Sequence, residues 1–170
     1  QGLRLDLKKP GGVEVFMRLA ATADVIVDSF RPGVMDKLGV GYAAVAAVNP
    51  RIACCSISGY GQDGPYRDLA GHDINYLGYA GVLDQIGSEG GDPVLPNFQI
   101  ADLLGGALTA VMGILAAVLE AQRTGHGRYI DVAMTDSVRP SRVAPAQSAS
   151  QGVCAVSRVI WPLATESTFA

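Results

Sequence analysis

Hydrophobic and polar positions follow two different periods along the first sixty residues. The segment "LRLDL", residues 3–7, alternates like a strand, whereas residues 11–23 repeat their apolar positions at helical spacing. The runs "DVIVDSF" and "RIACCSIS" are apolar and partly β-branched, which predicts strands buried on both faces of a sheet. Because strand and helix patterns alternate, we expect a mainly parallel sheet with right-handed crossovers.

Helices are predicted between these strands and after them. Pro32 is suited to begin a helix and Gly39 to end it, and "YAAVAAVNP" predicts a short helix that Asn49-Pro50 ends. A further helix is expected from about Asp73, and the final strand is "YIDVAM".

A long apolar helix is predicted from about Leu103 to Gln122. Its uncharged run, residues 103–119, is marginal in length for a membrane span. A buried helix of an α/β protein has the same composition and is commoner. We therefore expect no membrane span.

Composition narrows the class of protein. Among 170 residues, 49% are hydrophobic and 17% charged, with a net charge of −3, which indicates a soluble globular domain. Lys and Arg are not clustered, so no nucleic-acid partner is expected. The three cysteines lack disulfide-like spacing, and the neighbours Cys54 and Cys55 should point to opposite faces of a strand. These features favour a cytoplasmic protein, and no Cys/His cluster predicts a metal site.

The composition and periodicity of the chain change near residue 139. Residues 139–170 have little periodicity, are rich in Ser and Ala, and carry three arginines against one glutamate. We therefore predict an α/β domain over residues 1–138 and an atypical, partly disordered tail over residues 139–170.

Two side chains stand out as candidates for proton chemistry. His72 follows a long glycine-rich loop after a predicted strand, where ligands of parallel sheets gather, although a lone histidine is more often a loop or cap residue. Asp102 lies in "NFQIADLLGGAL", where a carboxylate is costly to bury unless it is paired or used. It is equally compatible with a helix N-cap, as is Asp73, while Gly105 and Gly106 would admit a substrate or another helix.

Several cationic residues fit phosphate binding, although an ordinary surface residue is the commoner outcome for each. Arg31 ends a predicted strand and precedes a predicted helix, a favourable position for a phosphate. Lys8, Lys9 and Lys37 have the same two interpretations. No dinucleotide fingerprint, P-loop or serine nucleophile elbow is present.

Three long segments together resemble the family III CoA-transferase superfamily, and within it the α-methylacyl-CoA racemases. They are "DVIVDSFRPGVMDKLGVG", "SISGYGQDGPYRDLAGHDINYLGYAGVLDQIG" and "IADLLGGALTAVMGILAAVLEAQRTGHGRYIDVAMTDS". The resemblance covers residues 3–138 and implies part of a large Rossmann-like α/β domain in an interlocked homodimer. Members of this family are longer, so we expect a truncated or frame-shifted product.

The resemblance also implies roles for individual residues. His72 in "GHDINY" matches the catalytic histidine and Asp102 in "IADLLGG" its carboxylate partner. One removes the α-proton of a 2-methylacyl-CoA thioester and the other returns a proton to the opposite face. No covalently bound cofactor is implied, since the CoA thioester is the substrate. Contacts with that substrate are implied for Leu5, Asp6, Leu7, Lys8, Ser29, Phe30, Arg31, Lys37, Gly71, Asp73, Ile74, Asn75 and Tyr76.

Three functional hypotheses follow. The first is an acyl-CoA racemase that works through the His72/Asp102 pair. The second is a family III CoA-transferase in which Asp102 attacks the acyl-CoA as a nucleophile. The third is a non-catalytic CoA-binding or assembly remnant, because an incomplete sheet exposes backbone that invites association.

Overall fold

The computed structural model of this protein describes residues 2–139. Three strands form one parallel sheet in chain order: β1 (Val25–Asp28), β2 (Ala53–Ser58) and β3 (Tyr129–Ala133). The predicted α/β class with a parallel sheet is confirmed. The predicted tail, residues 139–170, lies outside the described residues apart from Arg139.

Helices connect and flank the strands. They are α1 (Pro10–Ala20), α2 (Val34–Lys37), α3 (Tyr42–Val48), α4 (Asp73–Ala80), α5 (Thr109–Thr124) and α6 (Met134–Ser137). A 3₁₀ turn spans Leu83–Gln85, and a π-helix, Ala101–Leu108, runs directly into α5. The predicted long helix therefore exists, but its first two turns are wound more loosely than an α-helix.

The two cysteines of β2 divide the core between the two faces of the sheet. Cys54 packs with Val45 and Ile52 on the side of α1 and α3. Cys55 packs with Ile130 and Val132, among others, on the side of α5. Both are free thiols, as their alternation on the strand predicts.

The helix from Ala101 to Thr124 buries its small residues against the sheet, α4 and α6. Its buried positions are Ala101, Gly105, Gly106, Ala110, Ala117 and Ala121. Its large apolar side chains, each 48–64% exposed, form what we call the outer face: Leu103, Leu104, Leu108, Val111, Met112, Leu115 and Leu119. The expected buried helix is thus covered on one side only.

This helix is also long and apolar enough to cross a membrane. It has 24 residues and a mean hydropathy of 2.0 in its most apolar window, of which 22% is buried. Core helices of soluble proteins meet the same criteria of length and composition. The packing of Ala110 and Ala117 against Ala53 and Ile130 makes this helix a layer of the α/β fold.

Two strand predictions are wrong in detail. Residues 3–7 are not a strand, because no strand of the described residues pairs with them and an unpaired strand leaves its backbone groups unsatisfied. β1 is not buried on both faces, since it is an edge strand of this sheet and Val27 is 54% exposed. The helix after Pro32 begins only at Val34, behind Gly33 in a left-handed conformation.

The carboxyl edge of the sheet carries the loops that form the candidate site. β2 continues into the glycine-rich loop of residues 59–72, and β3 turns at once into α6, which the sequence did not predict. Thr135 fastens these two connections together, because its N–H and its hydroxyl both donate to the carbonyl oxygen of Gly59, at 3.0 and 2.8 Å.

Candidate active site

His72 lies at the N-cap of α4, with an exposed side chain and an extended backbone. Asn75 fixes this backbone, because its Oδ1 accepts the His72 N–H at 3.0 Å and its own N–H donates to the His72 carbonyl at 2.9 Å. The expectation that Asp73 caps α4 is wrong, since Asp73 is the first residue of the helix. The Asp73 carboxylate instead contacts the π-helix.

Asp73 binds the beginning of the π-helix. Its Oδ1 accepts a hydrogen bond of 2.8 Å from the backbone N–H of Asp102. Asp102 is not the N-cap of this helix, because Ile100 occupies that position. Nor is its side chain buried, although its sequence neighbours are apolar. The first turns of both helices are therefore joined, with His72 and Asp102 at the junction.

Gly105 and Gly106 let the π-helix pack closely against α6. A Cβ on Gly105 would lie 2.7 Å from Val138 Cγ1 and 2.8 Å from the Met134 carbonyl oxygen. One on Gly106 would lie 3.1 Å from Met134 Cγ. Of the two partners expected for these glycines, a helix is the one in contact.

Tyr76 supports the backbone that leads into His72. Only 6% of this residue is exposed, and its hydroxyl donates a 2.7 Å hydrogen bond to the carbonyl of Gly71. A Cβ on Gly71 would lie 2.6 Å from the Tyr76 ring, and one on Gly59 would also collide with it. Glycine is therefore required at both positions. The Tyr76 side chain lies beneath the loop.

One cavity of about 350 Å³ contains both proton-handling candidates. Its lining residues are His72, Asp73, Ile74, Leu95, Pro96, Asn97, Phe98, Gln99 and Asp102. Residues 95–99 were not predicted to belong to the site. Their only signal was an apolar pair, Leu95 and Phe98, within a turn-rich segment that directly precedes Asp102.

The surroundings of Asp102 in this cavity raise the pKa of its carboxyl group. Partial burial raises the pKa of this carboxyl group, the Asp73 carboxylate raises it further, and His72 lowers it. The first turn of α4 also presents the N–H groups of Asp73 and Ile74, which lack intrahelical partners. The cavity therefore has at its lining an imidazole, a carboxyl group of raised pKa and the first turn of a helix, groups that can exchange protons and bind an anion.

The remaining residues expected at the substrate lie in two other places. Leu7, Lys8 and Lys37 line a second cavity, of about 630 Å³, together with Lys9 and Pro10. Leu5 and Asp6 are not among its lining residues, but Asp6 accepts the Lys8 N–H at 3.1 Å and so shapes the turn.

Arg31 lines a third cavity, of about 340 Å³, whose wall includes the hydrogen-bonded pair Asp28 and Ser56 (2.6 Å). Ser29 and Phe30 are exposed beside it, and the Phe30 N–H donates to Asp28 at 3.1 Å. The structure thus brings Lys8 and Lys37 together and leaves Arg31 in a separate cavity.

Known proteins resemble this chain in sequence and in fold. α-Methylacyl-CoA racemase of Homo sapiens is 44% identical over 136 residues, which is 80% of this chain and 36% of that protein. Succinate–glutarate CoA-transferase of Agrobacterium fabrum is 38% identical over 77% of this chain and 32% of its own length. A CAIB/BAIF family protein from Brucella suis matches 78% of this chain and 35% of its own, with a TM-score of 0.73 and 37% identity.

This chain spans about a third of the length of the curated relatives it matches. The family model described as CoA-transferase family III matches residues 1–152, which is most of the chain. The match includes the strand, loop and helix starts that carry His72 and Asp102. This chain therefore belongs to CoA-transferase family III.

Proposed function

We propose that this chain carries the proton-exchange site of an acyl-CoA racemase, acting on the α-carbon of a 2-methylacyl-CoA thioester. The observation that carries the proposal is that His72 and Asp102 line one cavity, beside a helix N-terminus. An α-proton next to a thioester carbonyl is weakly acidic. Its removal therefore requires a base within reach and stabilisation of the enolate oxygen.

The chemistry balances with these groups alone. Neutral His72 takes the proton from one face of the α-carbon, and the electron pair moves to the thioester oxygen. The N–H groups of Asp73 and Ile74 stabilise that oxygen. Protonated Asp102 then returns a proton to the opposite face, and the reverse direction exchanges the two roles. The raised pKa of Asp102 increases its protonated fraction.

The lysine-lined cavity supports a CoA thioester as the substrate. Lys8, Lys9 and Lys37 line it together with one carboxylate, Glu14, so the lining has a net positive charge that complements the phosphates of CoA. Among the described residues, Lys9 is the one of these lysines at ion-pair distance from a carboxylate, with 4.0 Å between its Nζ and Asp6 Oδ2, and both are exposed. The name of the human relative, α-methylacyl-CoA racemase, supports the same class of substrate.

Deuterium uptake tests the proposal directly. The full chain is incubated in D₂O with a 2-methylacyl-CoA, and incorporation at the α-carbon is followed by NMR. We expect exchange that is lost in His72→Ala and in Asp102→Asn and retained in His126→Ala, which removes the other histidine from an exposed turn. Absence of exchange by a folded chain that still binds CoA contradicts the racemase proposal and supports the binding remnant.

A CoA-transferase reaction is the alternative, because several relatives are named CoA-transferases. The exposed carboxylate of Asp102 can attack the thioester carbonyl of an acyl-CoA, which breaks the C–S bond, releases the CoA thiolate and leaves an acyl mixed anhydride on Asp102. Mass spectrometry distinguishes the two: an acyl or CoA group linked to Asp102 supports the transferase. The unmodified residue together with α-exchange supports the racemase.

A homodimer is also proposed, and the outer face of helix 101–124 supports it. Seven large side chains, each about half exposed or more, present apolar surface on the order of 500 Å². That area lies at the upper end of the patches found on monomers, and two such faces together bury about 1,000 Å², the lower limit for a specific interface. Residues 103–119 carry no charge, so a second copy of the same face fits without burying an ion. Cytoplasmic localisation remains a prediction from cysteine content.

A further inference from the structure

The lining of the cavity at His72 and Asp102 falls into three chemical sets. The first carries the proton-handling groups and Asp73, and the second consists of two uncharged amides, Asn97 and Gln99. The third is apolar and comprises Ile74, Leu95, Pro96 and Phe98. An exchange reaction at a thioester α-carbon uses only the first set, so the apolar residues call for a separate explanation.

Leu95 and Phe98 expose large apolar surfaces inside this cavity. Leu95 is 69% exposed and Phe98 49%. Single exposed hydrophobic residues are ordinary on protein surfaces. These two, however, share one cavity with two further apolar residues, and a ligand that covers them gains about 25 cal/mol for each Å² removed from water.

Leu95, Pro96 and Phe98 form what we call the apolar wall. The backbone holds this wall beside His72 and Asp102. The loop that contains it closes where the Val94 N–H donates to the Ile86 carbonyl, immediately before Leu95. At its other end, the Gln99 carbonyl accepts the Leu103 N–H at 3.2 Å, which joins the residue after Phe98 to the π-helix. Phe98 thus lies four residues before Asp102 on a segment continuous with its helix.

Charge restricts the acyl group further. Among the described residues that line the cavity there is no lysine or arginine, and the Asp73 carboxylate leaves one net negative charge whichever of His72 and Asp102 holds the exchanged proton. An acyl group with a second carboxylate is repelled by that charge. A neutral hydrocarbon chain meets no such repulsion and covers Leu95 and Phe98.

We propose that Leu95 and Phe98 are specificity-determining residues that bind the hydrocarbon tail of the acyl group and select uncharged, extended acyl chains. This inference rests on the proposed function, because it takes the CoA thioester as the ligand. It assigns a role to the segment before Asp102 that the exchange chemistry does not use.

Binding measurements test the wall without requiring turnover. Calorimetric titration of the full chain uses free CoA, acetyl-CoA and straight-chain acyl-CoAs of increasing length. We expect affinity to rise with chain length, by up to about fourfold for each methylene that contacts the wall. In the double variant Leu95→Ala, Phe98→Ala the dependence on length flattens, whereas the affinity for free CoA is unchanged.

A control variant and a pair of ligands test the role of Leu95 and Phe98 further. Val94→Ala alters an exposed residue of the same loop that does not line the cavity, so the dependence on length should be retained. Succinyl-CoA and butyryl-CoA have acyl chains of equal length, and we expect succinyl-CoA to bind at least fivefold more weakly. Leu95→Lys should reduce that difference, because it adds the missing cation. Circular dichroism verifies that each variant is folded.

The outcomes separate this inference from the proposed function. If free CoA binds but affinity does not depend on chain length, or the dependence survives in the double variant, the wall has no such role and the proposed function stands. If neither CoA nor any acyl-CoA binds the folded chain, the proposed function fails and the inference fails with it.

Discussion

The side chain of Asp73 accepts the backbone N–H of Asp102 at 2.8 Å, and this single hydrogen bond joins the first turns of two helices. It satisfies an N–H group that the start of the π-helix would otherwise leave without a partner. It also holds a second negative charge near the Asp102 carboxylate, which contributes to the raised pKa of that group. Asp73 therefore affects both the position and the basicity of Asp102.

Substitutions at Asp73 separate these two effects. Asp73→Ala removes the acceptor and should lower the free energy of unfolding by about 1 kcal/mol. Asp73→Asn retains an acceptor oxygen, so it should cost less, while it lowers the pKa of Asp102 toward the ordinary value. Urea unfolding measures the first effect, and a shift of the exchange pH profile to lower pH measures the second. Equal losses of stability in the two variants would mean that the hydrogen bond from the Asp102 N–H to Asp73 does not stabilise the fold.

Asp102→Asn should stabilise the protein at neutral pH. A carboxyl group whose pKa is raised in the folded state favours folding below its ordinary pKa of 3.8, and this contribution is lost as the pH rises through the folded-state pKa. Removing the charge relieves the repulsion by Asp73. Because Asp102 is exposed, the gain should be only a few tenths of a kcal/mol.

The check is urea unfolding of both proteins at pH 7 and pH 3. The midpoint of Asp102→Asn should exceed that of the parent chain at pH 7, and the difference should disappear at pH 3. A difference that is the same at both pH values is incompatible with an origin in the titration of Asp102.

Tyr76→Phe should loosen the backbone before His72. The variant keeps the buried ring and removes the hydroxyl that donates to the Gly71 carbonyl at 2.7 Å, at a cost of about 1 kcal/mol. Tyr76 acts through Gly71, so it is a positioning residue. We expect a lower kcat for α-proton exchange with little change in CoA affinity.

Tyr79→Phe is the matched control, because the rings of Tyr76 and Tyr79 both contact the Tyr60 ring but Tyr79 is 57% exposed. It should alter neither stability nor exchange. If Tyr76→Phe exchanges protons as fast as the parent chain, the hydroxyl has no role in placing His72.

Local patterns predicted the elements of this fold well, whereas partnerships across the chain were not predictable from them. The strands around Ile26, Cys54 and Ile130 followed from dense apolar runs, and the start of α4 at Asp73 was correct. Residues 3–7 have a strand pattern but no strand beside them, and pairing depends on residues far away in sequence. A local pattern cannot supply that information.

The same limit applies to the site. His72 and Asp102 could be selected because each is an unusual residue for its surroundings in sequence. The hydrogen bond from the Asp102 N–H to Asp73 joins residues 29 positions apart, so no local sequence pattern predicts it. Leu95 and Phe98 resembled ordinary loop residues until the fold placed them in the cavity. The exposure of Asp102 was missed because apolar sequence neighbours do not determine which way a side chain faces on a helix.

Glycine substitutions test the close packing of the π-helix. Gly105→Ala puts a Cβ within 2.8 Å of the backbone at Met134, which cannot move as a flexible side chain could, and should cost about 1–3 kcal/mol. Gly78→Ala is the control, because this glycine lies within α4 and a Cβ there meets nothing within 4 Å. It should stabilise the protein by up to about 1 kcal/mol. Thermal or urea unfolding that ranks the two variants in the opposite order contradicts the packing described for α6.

The outer face of helix 101–124 predicts self-association that a single charge disrupts. Met112 is 64% exposed near the middle of this face, so Met112→Lys places a cation in the centre of an interface formed by two copies. Sedimentation velocity at tens of micromolar should show a dimer for the parent chain and a monomer for the variant. Leu69→Lys, which alters a similarly exposed residue of the loop before His72, should remain dimeric. A parent chain that is monomeric, or a Met112→Lys variant that stays dimeric, means that copies of this chain do not associate through the outer face.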